Sequence, residues 1–279
     1  MSIFNHEIGS KLLTIEVGKL AQLAGGSVTV TYGDTVVLVT ATMDTPRAGI
    51  DFLPLTIDVE ERQYARGKIP GGFPRREGRP TEEATLTCRL TDRPLRPLFP
   101  KGFRNEIHVV ATTLSVDLEN PYDIPSIIGS ATSLGISEIP FNGPCAATRI
   151  GYINNGFVIN PTYEEIADGL LDIVVAGTRE GVSMLEAGAQ QVSEDIVLEA
   201  IRLGQQTNEG IISVIDEVIE AVGKNKIEYK SAEVSEDLNS EVRSLLGDRL
   251  ELVMEQAEGK ADQRSQLDEI AEEVRAKLA

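Results

Sequence analysis

The chain has 279 residues, of which 26 are basic and 44 acidic, giving a formal net charge of −18 at pH 7. This length allows one large domain or two smaller ones. No apolar run approaches the roughly 20 residues that span a bilayer, and the N-terminus lacks the basic and apolar parts of a signal peptide. The sequence therefore predicts a cytoplasmic protein without a membrane segment.

Cysteine and histidine are scarce, with only Cys88, Cys145, His6 and His108 in the sequence. They are too scattered for a zinc site, and both cysteines are predicted to be buried thiols. The sequence contains no GxxxxGK[ST] loop, no GxGxxG turn after a strand and no HExxH motif. Each histidine is interpreted as structural, which leaves little support for a nucleophilic triad.

Alternating apolar and polar residues predict strands at 13–17, 27–32 and 35–41, with a hairpin turn at Gly33-Asp34. A helix is predicted from Thr81 to Arg93, because Thr81 can cap it and two acidic residues follow in the first turn. Pro94 should kink or end this helix.

The later elements are predicted from the period of two residues that is typical of strands and the period of 3.6 residues that is typical of helices. A strand at 107–116 is followed by a helix that begins near Pro125, and a hairpin at 152–159 carries Asn-Gly at its turn. The remaining predicted elements are strands at 171–176 and 182–185, a helical stretch from Ser193, a polar loop at 223–234, and helices at 236–256 and 261–278. The last pattern stops without a C-cap glycine, which suggests a continuation beyond Ala279.

A concentrated basic window interrupts this acidic chain between Arg62 and Arg104. It contains eleven basic and four acidic residues and is therefore net +7. In its middle, a glycine-flanked loop carries one aromatic residue, Phe73, and two adjacent guanidinium groups, Arg75 and Arg76. These residue types grip a nucleic-acid backbone and stack a base, so the window predicts a binding site for a polyanion.

Three further arginines, Arg89, Arg93 and Arg96, have the spacing of one helix face. Two interpretations stay open for them at this point: ion pairs with Asp92 or the nearby glutamates, or contacts with RNA. A separate set of carboxylates would suit a hydrolytic nuclease only if the fold brought them together around magnesium. They are Glu164, Glu165, Asp168 and Asp172.

Two segments of the basic window reveal a family resemblance. Residues 69–80 read IPGGFPRREGRP and residues 89–100 read RLTDRPLRPLFP. Together with motifs at 52–56, 139–144, 151–154 and 171–178, in the same order, they strongly resemble the first core of the bacterial polynucleotide phosphorylase family. The resemblance is close over about residues 1–225, and the remainder is more loosely similar to that family's all-helical linker domain.

The resemblance implies an α+β fold, with a ribonuclease PH-like β-α-β core followed by an all-helical segment. It implies a first domain at 1–144, a C-terminal subdomain of the same core at 145–225, and a truncated helical linker at 235–279. It further implies a homotrimeric ring that degrades mRNA by processive 3′ to 5′ phosphorolysis of single-stranded RNA, releasing nucleoside diphosphates. Inorganic phosphate would be the co-substrate and Mg²⁺ the metal, and an RNA-degradation complex is an expected partner.

The resemblance also implies RNA-binding residues. Phe73, Arg75 and Arg76 would line the pore entrance, with Arg79, Arg93 and Arg96 as further contributors. The family usually reads Phe-Phe-Arg-Arg where this chain has Phe73-Pro74-Arg75-Arg76, so one stacking surface is lost.

Two departures predict that this core has no catalytic residue and no metal ligand of its own. The stretch 120–126, where the family's active core has a serine-rich phosphate turn, lacks the serine cluster and carries Asp123. Asp172 matches the second metal-binding aspartate, but the position six residues earlier is Ile166. The magnesium ligands are therefore expected in a second core. The alternative is a non-catalytic RNA-binding or assembly subunit of an exosome-like ring.

Overall fold

The computed structural model describes residues 1–71, 79–229, 231 and 235–278, which fall into two compact units, 1–230 and 231–279. The first unit combines two β-sheets with α-helices, and the second contains α-helices. This confirms the predicted α+β class with a helical segment at the end. The predicted subdivision of the first unit at residue 144 is not tested by this division and stays a prediction.

The first sheet contains six strands, which are β1 (Ser2–Ile8), β2 (Lys11–Val17), β3 (Gly26–Tyr32), β4 (Thr35–Asp44), β5 (Leu55–Glu60) and β6 (Glu106–Ser115). Their order is β1-β2-β3-β4-β6-β5, and all neighbours are antiparallel except β5 and β6. In β4, Val37, Val39 and Ala41 are buried and alternate with more exposed residues. The period of two read from the sequence thus turns one face of the sheet toward the core.

Helices α1 (Glu82–Leu95) and α2 (Asp123–Ile136) pack against each other and against strands of the first sheet. Every residue of α2 is buried. Gly129 lets α2 approach the sheet closely, since a Cβ there would lie 2.5 Å from Cγ2 of Val39. Hydroxyl groups within α2 donate to the preceding turn, as Ser130 does to the carbonyl of Ser126 at 2.7 Å. Buried polar side chains in this helix are therefore satisfied locally.

The second sheet has the antiparallel order β10-β9-β7-β8, formed by β7 (Ala146–Ile153), β8 (Gly156–Ile159), β9 (Leu171–Thr178) and β10 (Gly181–Ala189). The short helix α3 (Tyr163–Asp168) precedes β9, and the long helix α4 (Glu194–Val222) packs on β7 and β9. Asn208 of α4 is buried and donates to the carbonyl of Val175 at 3.0 Å. This bond fixes the helix on the sheet.

The β7–β8 hairpin turns at Asn154 and Asn155 and not at the predicted Asn-Gly pair. Both residues have positive φ, 50° and 61°, and Ile153 pairs with Gly156 across the turn. Positive φ at both central residues defines a type I′ turn, which asparagine tolerates well. Gly156 is consequently the first residue of β8.

Two predicted helix boundaries also differ from the structure. Pro94 lies inside α1, which runs to Leu95 and passes into a 3-10 turn at Arg96–Leu98. The predicted helix at 236–256 is divided at Gly247, whose φ of 51° and ψ of −136° are not helical. It forms α5 (Glu236–Leu246) and α6 (Arg249–Gln256), which share an apolar cluster with α7 (Lys260–Leu278).

The segment that follows α4 is tied to the end of α2 by Lys226. Its ammonium group donates to three carbonyl oxygens at 2.8 to 2.9 Å, those of Leu134, Gly135 and Ser137. These oxygens lie at the negative end of the helix dipole. Burial lowers the pKa of Lys226 to about 8, against an opposing effect of Glu138.

None of the described helices is long and apolar enough to cross a bilayer. Both cysteines are free thiols in the structure. Cys145 is buried, as predicted, and burial raises the pKa of its thiol to about 12. Cys88 is only half-buried, so the prediction for it was wrong.

Candidate functional site

The centre of the basic window, residues 72–78, lies outside the described residues, and with it lie the predicted RNA-binding residues Phe73, Arg75 and Arg76. The structure places the flanks of this loop. Arg79 is exposed and stands just before α1, whose cap Thr81 accepts a hydrogen bond from the amide of Ala84 at 3.0 Å. The predicted helix start is confirmed.

Arg93 and Arg96 diverge in the structure, although their spacing predicted one helix face. Arg93 pairs with Glu186 on β10 and donates to the carbonyl of Leu185 at 3.1 Å. The side chain of Arg93 is about half exposed. Its ion pair therefore joins α1 to the second sheet at the surface.

Arg96 is the C-cap residue of α1, and its side chain turns in another direction. Its guanidinium donates to both carboxylate oxygens of Asp92, at 2.9 and 2.7 Å, and to the carbonyls of Leu53 and Leu55, each at 3.1 Å. Arg96 thereby holds the start of β5. The ion-pair interpretation describes both arginines in the structure, while RNA contact by either residue stays a prediction.

A cleft of about 900 Å³ lies between α1, the start of α2 and the second sheet. Its rim carries Arg89, which is exposed and makes no ion pair with a described residue, and Arg93. The polar part of its lining also contains four carboxylates and a third guanidinium, which are Glu82, Glu83, Asp123, Glu186 and Arg149. Opposite charges are thus mixed within the cleft.

At the base of this cleft, Arg149 of β7 bridges two carboxylates. One terminal nitrogen lies 2.5 Å from Asp172 of β9, and the other pairs with Asp123 at the start of α2. The side chains of Arg149 and Asp123 are only 13% and 12% exposed. Sequence reasoning identified both aspartates but missed the cation between them. The available signal was an arginine within the buried strand β7, because a buried charge requires a partner.

The bridge changes the protonation behaviour of its members. Burial alone would lower the pKa of Arg149, but Asp123 and Asp172 raise it above its ordinary value. Burial raises the pKa of Asp172, and the attraction of Arg149 does not fully offset this effect. Arg149 is therefore a permanent cation that neutralises part of the acidic base of the cleft.

The residues at this base do not fit a magnesium ion or a phosphate. Asp123 and Asp172 already share a guanidinium, and the described part of the chain contains no cluster of three or more metal-binding side chains. Phosphate would meet the carboxylate of Asp123, and the donors of Arg149 that face the carboxylates are occupied. The other carboxylates suggested for a nuclease are not assembled here either, since Glu165 is used in the capping box of α3.

A second cavity, of about 340 Å³, shares one wall with the cleft and contains Arg62 and Arg66 in its lining. The hydroxyl of Tyr122 donates to Glu61 at 2.8 Å, and that of Tyr163 donates to Glu83 at 3.2 Å. Burial and the adjacent carboxylates raise the pKa of both tyrosines. They act as neutral hydrogen-bond donors and not as bases.

Neither histidine lines these two cavities. His108 lies on the exposed face of the first sheet, where its Nε2 is 2.7 Å from the carboxylate of Asp58. His6 lies on β1. The cleft, as far as the structure describes its lining, therefore contains no histidine that could serve as a general base.

Comparison with protein families identifies two adjacent segments of this chain. Residues 9–140 match the 3′ exoribonuclease family, domain 1, and residues 143–207 match domain 2 of the same family. Together these matches cover most of the first unit. Among solved structures, rice (Oryza sativa) Rrp46 has the same fold, with a TM-score of 0.59 and 14% identity over 74% of this chain and 94% of that one.

Curated relatives with the name polyribonucleotide nucleotidyltransferase are similar over nearly the whole chain. The protein from Heliobacterium modesticaldum is 51% identical over 90% of this chain and 35% of its own length. The protein from Caldicellulosiruptor bescii is 48% identical over 98% of this chain and 39% of its own length. The chain thus spans little more than a third of the length of these relatives.

Proposed function

Because the chain belongs to the 3′ exoribonuclease family, we propose that it is the RNA-guiding first core of an enzyme that degrades single-stranded RNA by phosphorolysis. The complete enzyme would remove nucleotides processively from the 3′ end and release nucleoside diphosphates. In this proposal the present core holds and directs the strand, and a second core performs the reaction.

The observation that carries this proposal is the bridge of Arg149 between Asp123 and Asp172. A phosphorolytic centre must attract inorganic phosphate and polarise it. Here a carboxylate lies at the helix start where an anion would otherwise be favoured, and the cation beside it is already paired. These charges support a core that is catalytically silent.

The basic window supports the RNA-binding part of the proposal. The window is net +7 in a chain whose total charge is −18, so a polyanion is drawn to one region and repelled elsewhere. We assign the strongest contacts to Phe73, Arg75 and Arg76, with Arg79 beside them. Arg93 and Arg96 would contribute only after exchange of their present partners.

Several expectations extend to the complete enzyme. We propose a homotrimeric ring, located in the cytoplasm, that takes part in mRNA degradation and can join an RNA-degradation complex. Mg²⁺ would be bound by the second core, where it would neutralise charge on the phosphate during phosphorolysis. None of these properties requires a metal ligand from the present chain.

RNA binding by the 279-residue chain tests the guiding role. We would measure anisotropy of a labelled single-stranded oligoribonucleotide over a range of salt concentrations. Affinity should fall with salt, and Arg75→Ala with Arg76→Ala should reduce the logarithmic salt slope by about 1.4, or about 0.7 per phosphate contact. Arg202→Ala with Arg264→Ala is the matched control, because both arginines are exposed and lie outside the basic window. No binding by the unchanged chain would refute the guiding role.

Product analysis tests the catalytic silence separately. The same chain, incubated with RNA, inorganic phosphate and Mg²⁺, should release no nucleoside diphosphate. Release by the unchanged chain at all would overturn the assignment of chemistry to a second core.

A further inference from the structure

We infer that the 3-10 turn at Gln63–Arg66 and the two residues after it form a second contact for single-stranded RNA, in which Tyr64 stacks on a base. Arg66 and Lys68 would hold the adjacent phosphates. The inference rests on the proposed function for the nature of the ligand. It adds a site that is separate in sequence from the loop at 72–78.

Tyr64 has the exposure that a stacking residue needs. Its relative accessibility is 57%, and its hydroxyl makes no hydrogen bond with a described residue. The tyrosines of the neighbouring cavity behave differently, since Tyr122 and Tyr163 bind carboxylates through their hydroxyls. An aromatic ring kept in solvent without a polar partner is available for a base, and such stacking does not depend on sequence.

The two cations beside Tyr64 are also available. Arg66 and Lys68 are exposed, and neither side chain makes an ion pair with any residue that the structure describes. The nearest preceding carboxylates are already engaged, since Glu60 pairs with Arg62 and Glu61 accepts a hydrogen bond from Tyr122. The positive charges of Arg66 and Lys68 are therefore free to attract a phosphate.

The 3-10 turn at Gln63–Arg66 is fixed by a buried side chain and by backbone hydrogen bonds. Ala65, between the two proposed contact residues, is buried, and its carbonyl accepts the amide of Val116 at 3.0 Å. Gly67 adopts a left-handed conformation, with φ of 65°, and its amide donates to the carbonyl of Tyr64 at 2.9 Å. A contact surface that is ordered before binding loses less conformational entropy when the ligand arrives.

The dimensions and chemistry favour one unpaired strand. Residues in a 3-10 helix rise about 2 Å each, so Tyr64 and Arg66 lie close enough to reach a base and a phosphate of neighbouring nucleotides. Stacking on an aromatic ring requires a base that is not enclosed in a duplex. An acidic protein surface could satisfy the cations but would not need the ring, and the test separates these cases.

Substitution of Tyr64 in the full chain tests the stacking contact, with a labelled oligo(A) RNA as the probe. Tyr64→Ala and Tyr64→Leu should each weaken binding roughly ten-fold without changing the salt slope, while Tyr64→Phe should bind as the unchanged chain does. Phe52→Ala is the matched control, because Phe52 is 61% exposed but lies in a segment, 48–56, that contains no basic residue. Equal affinity for Tyr64→Ala and Phe52→Ala would overturn the inference.

Substitution of the cations gives an independent readout. Arg66→Ala with Lys68→Ala should lower the logarithmic salt slope by about 0.7 for each phosphate contact that is lost. Sedimentation of the Tyr64 variants distinguishes a protein interface, because a change in oligomeric state without a change in the affinity of the monomer for RNA would also overturn the inference.

The two proposals fail in different ways. If the unchanged chain binds no RNA, the guiding role itself is wrong. If the chain binds RNA and loses affinity on Arg75→Ala with Arg76→Ala, but not on Tyr64→Ala, then the guiding role stands and the second contact is refuted. Loss of affinity in both variants, with a change of salt slope only in the arginine variant, supports both.

Discussion

The guanidinium of Arg149 lies 2.5 Å from the carboxylate of Asp172, across two neighbouring strands of the second sheet. The same side chain also pairs with Asp123, which belongs to the helix that lies between the two sheets. One cation thus joins three elements of the core. Its removal should affect both the stability of the fold and the charge of the cleft.

We expect Arg149→Met to lower the free energy of unfolding by about 3 kcal/mol, because it leaves the buried Asp123 and the partly buried Asp172 without a counter-ion. Urea denaturation at pH 7 measures this change. The control is Asp123→Asn, Arg149→Met and Asp172→Asn combined, which removes all three charges and should recover most of the loss. A single variant as stable as the unchanged chain would contradict the coupling.

Asp117 is expected to make a pH-dependent contribution to the free energy of unfolding. Burial alone would raise the pKa of this carboxyl group, but hydrogen bonds from Asn120, Glu119 and Asp34 lower it to about 2. The ordinary value in an unfolded chain is about 3.9. Because the pKa is lower in the folded state, the contribution is complete above pH 4 and is lost as the pH falls toward 2.

Asp117→Asn should therefore cost about 1 kcal/mol at pH 7, a modest value because the carboxylate is partly exposed to solvent. The difference in unfolding free energy between the variant and the unchanged chain should shrink as the pH is lowered from 4 to 3. Denaturation at each pH provides the measurement. A difference that stays constant over this range would exclude Asp117 as its source.

Different effects on RNA binding are predicted for substitutions of Arg93 and Glu186, which form a surface ion pair. Glu186→Gln should release Arg93 for a phosphate and raise RNA affinity two- to five-fold, whereas Arg93→Ala should not raise it. Both variants should change stability by less than about 1 kcal/mol, since the pair is exposed. Unchanged or weaker binding by Glu186→Gln would contradict the proposal that a released Arg93 holds a phosphate.

Close packing of α2 against β4 gives a prediction at Gly129. Alanine favours a helix over glycine by about 1 kcal/mol, but a Cβ at this position would meet Val39 at 2.5 Å. Overpacking costs about 1 to 3 kcal/mol, so Gly129→Ala should lower the melting temperature. The double variant Gly129→Ala with Val39→Ala should lose less stability than the sum of the two single losses, and additivity of the two single effects would argue against the clash.

The sequence predicts the central strands well because their pattern is local. In β4, three buried residues alternate with more exposed ones, and a period of two can be recognised without tertiary information. Strand β1 was missed because its pattern is weaker, with Ile3 exposed at the edge of the sheet. Helix α3 was also missed, although its capping box of Thr162 and Glu165 is a signal that the sequence contains.

The contacts within the candidate site could not be predicted from local sequence patterns. The roles of Asp123 and Asp172 were inferred from family resemblance, and the structure adds that the two are neighbours through Arg149. Nothing in the spacing of these residues indicates that one guanidinium reaches both. That contact depends on how α2 and the second sheet pack, which the order of elements alone does not determine.

The tie between Lys226 and the end of α2 has a mechanical consequence. Chain connectivity places this tie between the long helix α4 and the second unit, which starts at residue 231. A pull transmitted along the chain from the second unit therefore meets the three carbonyl bonds of Lys226 before it reaches α4. Through this tie, part of a load applied there would pass to the buried helix α2 and would not reach α4 in full.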